Sequence, residues 1–168
     1  AEPIALEDRP IDLLFIGSMN ERRRAMIQRI ESTGVQVSMF DGALYGPERD
    51  AYIVQAKAVF NAHFYESSRF EQARASHCLS LGTPVIAERR GAGAPHAAFD
   101  DAVFWLDDGA GFERFFREQF GSATFFADAQ ARLARWRTHD PVDAYAGLMA
   151  FGAGVFQVHA QRKGDEPW

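Results

Sequence analysis

The chain has 168 residues, 47% of them hydrophobic and 24% charged, with a formal net charge of −5. That is the composition of one ordinary globular domain, large enough to bury roughly 70% of its unfolded surface without a disulfide or metal staple. It excludes disorder and collagen-like repeats, a disulfide framework (Cys78 is the lone cysteine), and nucleic-acid binding through bulk charge. A single cysteine fits a reducing compartment, so a cytoplasmic location is expected. No apolar run reaches the roughly 18 residues of a membrane span. The 16 Arg against 2 Lys, with 27 Ala, point to a GC-rich bacterial genome. Residues 1–11 begin on Ala1, carry two prolines and lack the basic and apolar regions of a signal peptide, so they read as a linker or the cut end of something longer.

Residues 12–16 are a short apolar run stopped by Gly17, the pattern of a buried strand. Asn20 can cap a helix running to about Thr33, with Met26, Ile27 and Ile30 on one face and Gly34 as its stop. Residues 35–40 form a second strand ending in Asp41-Gly42, and residues 48–57 a helix. A third strand is expected over 58–62, a helix over 68–81 closed by Gly82, and a fourth strand over 84–87. A glycine-rich loop over 89–96 leads to a fifth strand over 102–106. Helices follow over 111–120 and 127–136, and a last one runs from Asp140-Pro141 to about His159, leaving 161–168 as a tail. Alternating strands and helices mean right-handed βαβ crossovers and a parallel sheet covered on both faces. The expected fold is therefore an α/β, Rossmann-like three-layer sandwich over 12–160, with five strands in the order 2-1-3-4-5.

In such a sheet a ligand sits beyond the carboxyl ends of the strands where the order reverses, here between strands one and three. The loops there are Gly17-Ser18-Met19-Asn20 and the stretch from His63 through Tyr65, Glu66 and Ser67. Each precedes a helix N-terminus with free N–H groups. Arg22, Arg23 and Arg24 fall in the first helical turn, where positive charge opposes the macrodipole. They suggest a phosphate clamp; the plain alternative is a solvated helix start. Ser68 and Glu71 have the spacing of a capping box, which would account for Glu71 without function. Glu66 sits in the loop with no capping role and can accept two sugar or ribose hydroxyls. Phe70, Arg74, His77 and Leu81 share one helical face, and Arg69 and Arg74 project from that helix. Arg74 is either a phosphate ligand or a structural ion-pair partner. His63 and Glu66 are the catalytic candidates, His63 as a general base or phosphate donor. Tyr45 and Gly46, after strand two, are candidates for packing a base.

Absences narrow the chemistry. No G-x-G-x-x-G follows the first strand, and no G-x-x-x-x-G-K-[ST], G-x-S-x-G or paired metal-ligand spacing occurs. The third strand ends in Asn61-Ala62-His63 rather than an aspartate, which weakens a receiver-like signalling reading.

Phe15 to Ser18 with its Arg-rich helix, Ala58 to His63, Tyr65 to Arg74, and Gly82-Thr83-Pro84-Val85 together resemble the C-terminal lobe of GT-B glycosyltransferases. The likeness is nearest to the spore-maturation-protein-like and group 1 branches and spans about residues 12–106. It implies a metal-independent transferase lobe that binds a nucleoside diphosphate sugar, with no further cofactor and with the acceptor held by a separate N-terminal lobe or partner domain. By that resemblance the substrate-binding set is Gly17, Ser18, Asn20, Arg22, Arg23, Tyr45, Gly46, Tyr65, Ser67, Arg69, Glu71 and Arg74. The group 1 pattern has two glutamates eight apart, the second five residues before the turn glycine; here those positions hold Arg69 and His77. Glu66 and Glu71 stand in for them, or the donor is held differently. Arg74, eight before Gly82, matches the arginine of the spore-maturation-like subgroup. The alternative is a Rossmann-like interaction module that kept the fold and lost the chemistry.

Overall fold

A computed structural model of the chain describes residues 4–40, 45–65, 70–89 and 97–140. The strands are β1 (Ile11–Phe15), β2 (Val37–Met39), β3 (Ala56–Asn61), β4 (Val85–Glu88) and β5 (Phe104–Leu106). The helices are α1 (Glu21–Glu31), α2 (Gly46–Ile53), α3 (Gln72–Ser80), α4 (Ala98–Ala102), α5 (Gly111–Arg114) and α6 (Ala123–Thr138). The sheet is five-stranded, all parallel, in the order β2-β1-β3-β4-β5, as the alternating pattern predicts. The described residues up to Arg137 form one unit. The expected helix from Asp140 to His159 and the tail beyond it start at the edge of the described residues and lie almost wholly outside them.

The central strands carry apolar side chains toward both faces because helices cover both. Leu13, Leu14, Val59, Phe60, Val85, Ile86 and Ala87 are all buried. Alternation along β5 separates the two layers. Phe104 meets Phe115 and Phe125 on one side, whereas Trp105 meets Phe70 on the other, next to Phe99 and Trp136. Phe60 points into the first layer, edge-on to Phe112 and Phe116.

Element boundaries differ from the sequence expectation where local chemistry intervenes. α2 starts earlier, at Gly46 with Pro47 in its first turn, and ends at Ile53, because the chain must turn to let the Gln55 carbonyl accept from the Ile11 N–H. α3 begins at Gln72, so Glu71 is its N-cap residue rather than the third residue of a capping box. The short α4 fills the stretch between the expected glycine-rich loop and fifth strand and takes Ala102 from that strand, which starts at Phe104; Ala98, Phe99 and Ala102 bury one face of the helix. α5 continues into a π-helical turn over Phe115–Gln119, with the Phe120 N–H donating to the Phe115 carbonyl at 2.9 Å. Phe116 meets Phe112 on one side and Phe120 on the other, with ring centroids 5.3 and 5.8 Å apart. Ser122 then opens α6 by accepting from the Phe125 N–H at 3.1 Å.

Residues 4–11, within the segment expected to be a linker or a cut end, pack against the sheet. Leu6, in a 3-10 turn over Leu6–Asp8, is buried, and so is Arg9. Arg9 ties the amino ends of the strands together. Its Nη1 donates to the Ala56 carbonyl (3.0 Å) and Thr83 Oγ1 (2.9 Å), and its Nη2 to the Gly82 carbonyl (3.1 Å). Thr83 Oγ1 in turn donates to the Ile53 carbonyl at 2.8 Å. Desolvation lowers the Arg9 pKa, and four acceptors, the fourth being the Ile4 carbonyl at 3.4 Å from Nε, compensate for burying the charge.

Candidate functional site

Register fixes what gathers at the carboxyl ends. Phe15 stands opposite Phe60, and Asn61 opposite Ala87. Gly17, just beyond β1, therefore emerges beside the residues that follow β3, and His63 among these lies next to Glu88, the last residue of β4. Gly17 has φ +146°, a conformation L side chains rarely adopt. A Cβ there would stand 3.1 Å from Arg23 Nη1 and 3.2 Å from Arg74 Nη1. The glycine lets two guanidiniums close onto the β1–α1 turn.

Asn20 begins α1 as the capping reading predicts. Its Oδ1 accepts from the Arg23 N–H at 2.8 Å, and its Nδ2 donates to the Phe64 carbonyl at 2.6 Å, linking the loops after β1 and β3.

The arginines of the first helical turn have different fates. Arg23 is 2% exposed. It donates to the Ser18 carbonyl (2.8 Å) and twice to the Ala62 carbonyl (3.0 and 2.8 Å), and lies over the rings of Phe15 and Phe64. Burial pulls its pKa down, and the nearby Glu71 carboxylate opposes that. It is a structural clamp rather than a solvated helix start. Arg22 pairs with Glu88 and donates to the His63 carbonyl at 3.1 Å. The other Glu88 oxygen accepts from the His63 N–H at 3.4 Å. Glu88 and Arg22 therefore grip both main-chain groups of His63, which is itself buried. Arg24 is exposed on the helix surface.

Arg74 approaches from α3. Its Nη1 donates to the Ile16 carbonyl at 2.7 Å and pairs with Glu71. Glu71 also lies 3.5 Å from Arg23 Nη2. The Arg74 and Glu71 side chains are 31% and 35% exposed, whereas Glu88 is 0%. Among the described residues, three guanidiniums face two carboxylates here, an excess of one positive charge. Asn61, at the tip of β3, is buried, and its Oδ1 has no partner among the described residues.

Two tyrosines, one after β3 and one before α2, are exposed. Tyr65, 66% exposed, follows β3 with its ring 4.7 Å from that of Phe64. Tyr45, 75% exposed, precedes α2, with Gly46 as the first helical residue. Met39, at the carboxyl end of β2, is exposed as well. The structure thus brings together Gly17, Ser18, Asn20, Arg22, Arg23, His63, Glu71 and Arg74. Tyr65 lies four residues beyond the end of β3, Tyr45 is the N-cap residue of α2 and Gly46 its first residue. Glu66, Ser67 and Arg69 lie outside the described residues.

Glu88 escaped the sequence reading. The available signal was a carboxylate directly after the apolar run 84–87, at the carboxyl end of a central strand, which is the reasoning that singled out Glu66. His77 is one turn beyond Arg74 on α3 and pairs with Asp50 of α2 at 2.7 Å rather than joining the cluster. Among the described residues, no group of three or more His, Cys, Asp or Glu is placed to hold a metal ion, and no helix is long and apolar enough to cross a membrane.

No protein-family model matches the chain, and no solved structure matches it. The chain is similar to three proteins of Acanthamoeba polyphaga mimivirus, each described only as uncharacterized. Uncharacterized protein L138 is 31% identical, L140 30% and L137 28%, each over 78 residues or 46% of this chain. The matched stretch covers 9%, 26% and 11% of those proteins, respectively.

Proposed function

We propose that the chain is a donor-binding lobe of a GT-B-type glycosyltransferase, which binds a nucleoside diphosphate sugar beyond the carboxyl ends of β1 and β3. The observation that carries the reading is the Arg74–Glu71 pair. It is partly exposed, stands at the point where strand order reverses, and lies against a glycine with no side chain to block approach. Arg74 would grip the diphosphate and stabilise charge developing on it as the sugar leaves. Tyr65 and Tyr45 offer exposed ring faces for a base. Arg22 and Arg23 fix the two loops from beneath, Arg23 also facing the anion position through the Nη2 that lies 3.5 Å from Glu71, and His63, its main chain gripped on both sides, is part of that framework. One parallel sheet supplies one wall of a cleft. The acceptor and any base acting on it would come from a second lobe or a partner chain.

Uridine or guanosine diphosphate should raise the melting temperature through linkage, and the rise should shrink with added salt as the phosphate attraction is screened. Absence of a thermal shift at millimolar nucleotide would refute the reading. That result would favour the interaction-module alternative, for which the specific observation is that Arg22, Arg23 and Arg74 are all already paired within the chain.

A further inference from the structure

Two carboxylates serve the arginines of the site, and they are held differently. Glu88 is sealed from water and gripped by both Arg22 and the His63 N–H. Glu71 is over a third exposed, and although it occupies the N-cap position of α3 it makes no side-chain capping bond. Among the described residues its carboxylate pairs with two guanidiniums, Arg23 at 3.5 Å and Arg74. Neither arginine depends on Glu71 for its place. Arg23 keeps its bonds to the Ser18 and Ala62 carbonyls, and Arg74 keeps its bond to the Ile16 carbonyl. With Glu71 turned toward solvent, both cations would still hold those carbonyl bonds.

We propose that the Glu71 carboxylate is an internal stand-in for a ligand phosphate: it occupies the Arg23–Arg74 pair until a diphosphate displaces it, and it thereby selects multiply charged anions over singly charged ones. A monoanion offers the two guanidiniums no more charge than Glu71 already supplies, and it loses translational freedom on binding. A diphosphate brings two to three charges and more acceptor oxygens, so the exchange gains Coulomb energy and charge-assisted hydrogen bonds. Gly17 is what makes room for the exchange, since a Cβ there would crowd both guanidiniums. The inference deepens the nucleotide reading by giving the site a charge rule, and it rests on that reading for the anion being part of a nucleotide.

The test uses Glu71→Gln and Glu71→Ala with two probes, inorganic diphosphate and acetate. Calorimetry should show Glu71→Gln binding diphosphate about tenfold more tightly than the parent chain, a difference of about 1.4 kcal/mol. Acetate, which replaces the missing carboxylate, should raise the melting temperature of Glu71→Ala and leave that of the parent unchanged. Equal or weaker diphosphate binding by Glu71→Gln would overturn the proposal and make Glu71 a ligand-binding group. Failure of acetate to stabilise Glu71→Ala would overturn it too. Uridine diphosphate, titrated in parallel, separates the two readings. Tighter diphosphate binding by Glu71→Gln with no nucleotide binding by either protein would uphold the stand-in and refute the nucleotide.

Discussion

Replacing Glu88 with Gln should destabilise the chain far more than the same change at Glu71, although both glutamates pair with arginines within one cluster. The difference is water. Removing one partner of a buried ion pair costs about 3–5 kcal/mol, because the remaining charge is left without compensation. The Arg22 side chain is 21% exposed and keeps the His63 carbonyl, so the low end applies, about 3 kcal/mol. The Glu71–Arg74 pair is about a third exposed on both sides, and solvent takes over much of the lost interaction, so about 1 kcal/mol or less is expected. In a domain of this size each kcal/mol lowers the melting temperature by about 2–4 °C, which separates a fall of about 6–12 °C from one under about 4 °C. Urea unfolding is readable through Trp105 and Trp136, which pack against Phe70 and Phe99 and lose that environment on unfolding. Replacing Arg22 and Glu88 together with Met should recover only part of the loss, since a buried pair often exchanges for apolar groups at little net cost but here the His63 N–H and carbonyl lose these partners as well. The reasoning fails if Glu88→Gln lies within 1 kcal/mol of the parent, or if the two single changes cost the same.

Gly17→Ala should cost about 1–3 kcal/mol through its backbone conformation and also weaken diphosphate binding, because the new methyl crowds Arg23 and Arg74; a parent-like melting temperature would contradict this. Burial pushes the Cys78 thiol up to about 12, so a thiol-specific reagent at mildly alkaline pH should modify it only on unfolding, whereas stoichiometric labelling of the native chain within minutes would show the site open. The hydrogen bond from His77, with Arg49 close by, holds the Asp50 carboxyl below the ordinary aspartate range. A depressed folded pKa stabilises above the unfolded value and is lost as pH falls through the folded one, so part of the acid loss below about pH 4 belongs to this pair. His77→Leu should flatten that limb in melting curves against pH, and superimposable limbs would remove the pair from the explanation.

The sheet was legible because its information is local. The runs 12–16, 58–62 and 84–87 are apolar, lie between turn residues and alternate with helical periods, and that pattern leaves few topologies. α4 was hidden because five residues carry little periodicity and the glycine-rich stretch before them reads as continuous loop. The π turn was hidden because one inserted residue leaves composition unchanged. At the site, position in the chain pointed to the right loops and could not say what each charge does there. Arg23 and Arg9 are buried against carbonyls of Ala62 and Ala56, 39 and 47 residues away, and no side-chain pattern marks a carbonyl as a partner. Glu71 fitted a capping box by spacing alone; the later start of α3 turns it toward Arg23 and Arg74 instead. The grip of Arg22 and Glu88 on His63 depends on the β3–β4 register, a tertiary quantity.

Calorimetric titration of uridine diphosphate into the parent chain and into Arg74→Lys tests the nucleotide reading most directly. Lysine keeps the charge and loses the planar fork that fits phosphate. The parent should bind at submillimolar concentration or better, and Arg74→Lys about tenfold more weakly with folding intact. Equal affinity in the two proteins, or no heat from the parent at millimolar nucleotide, would show that this end of the sheet does not hold a diphosphate.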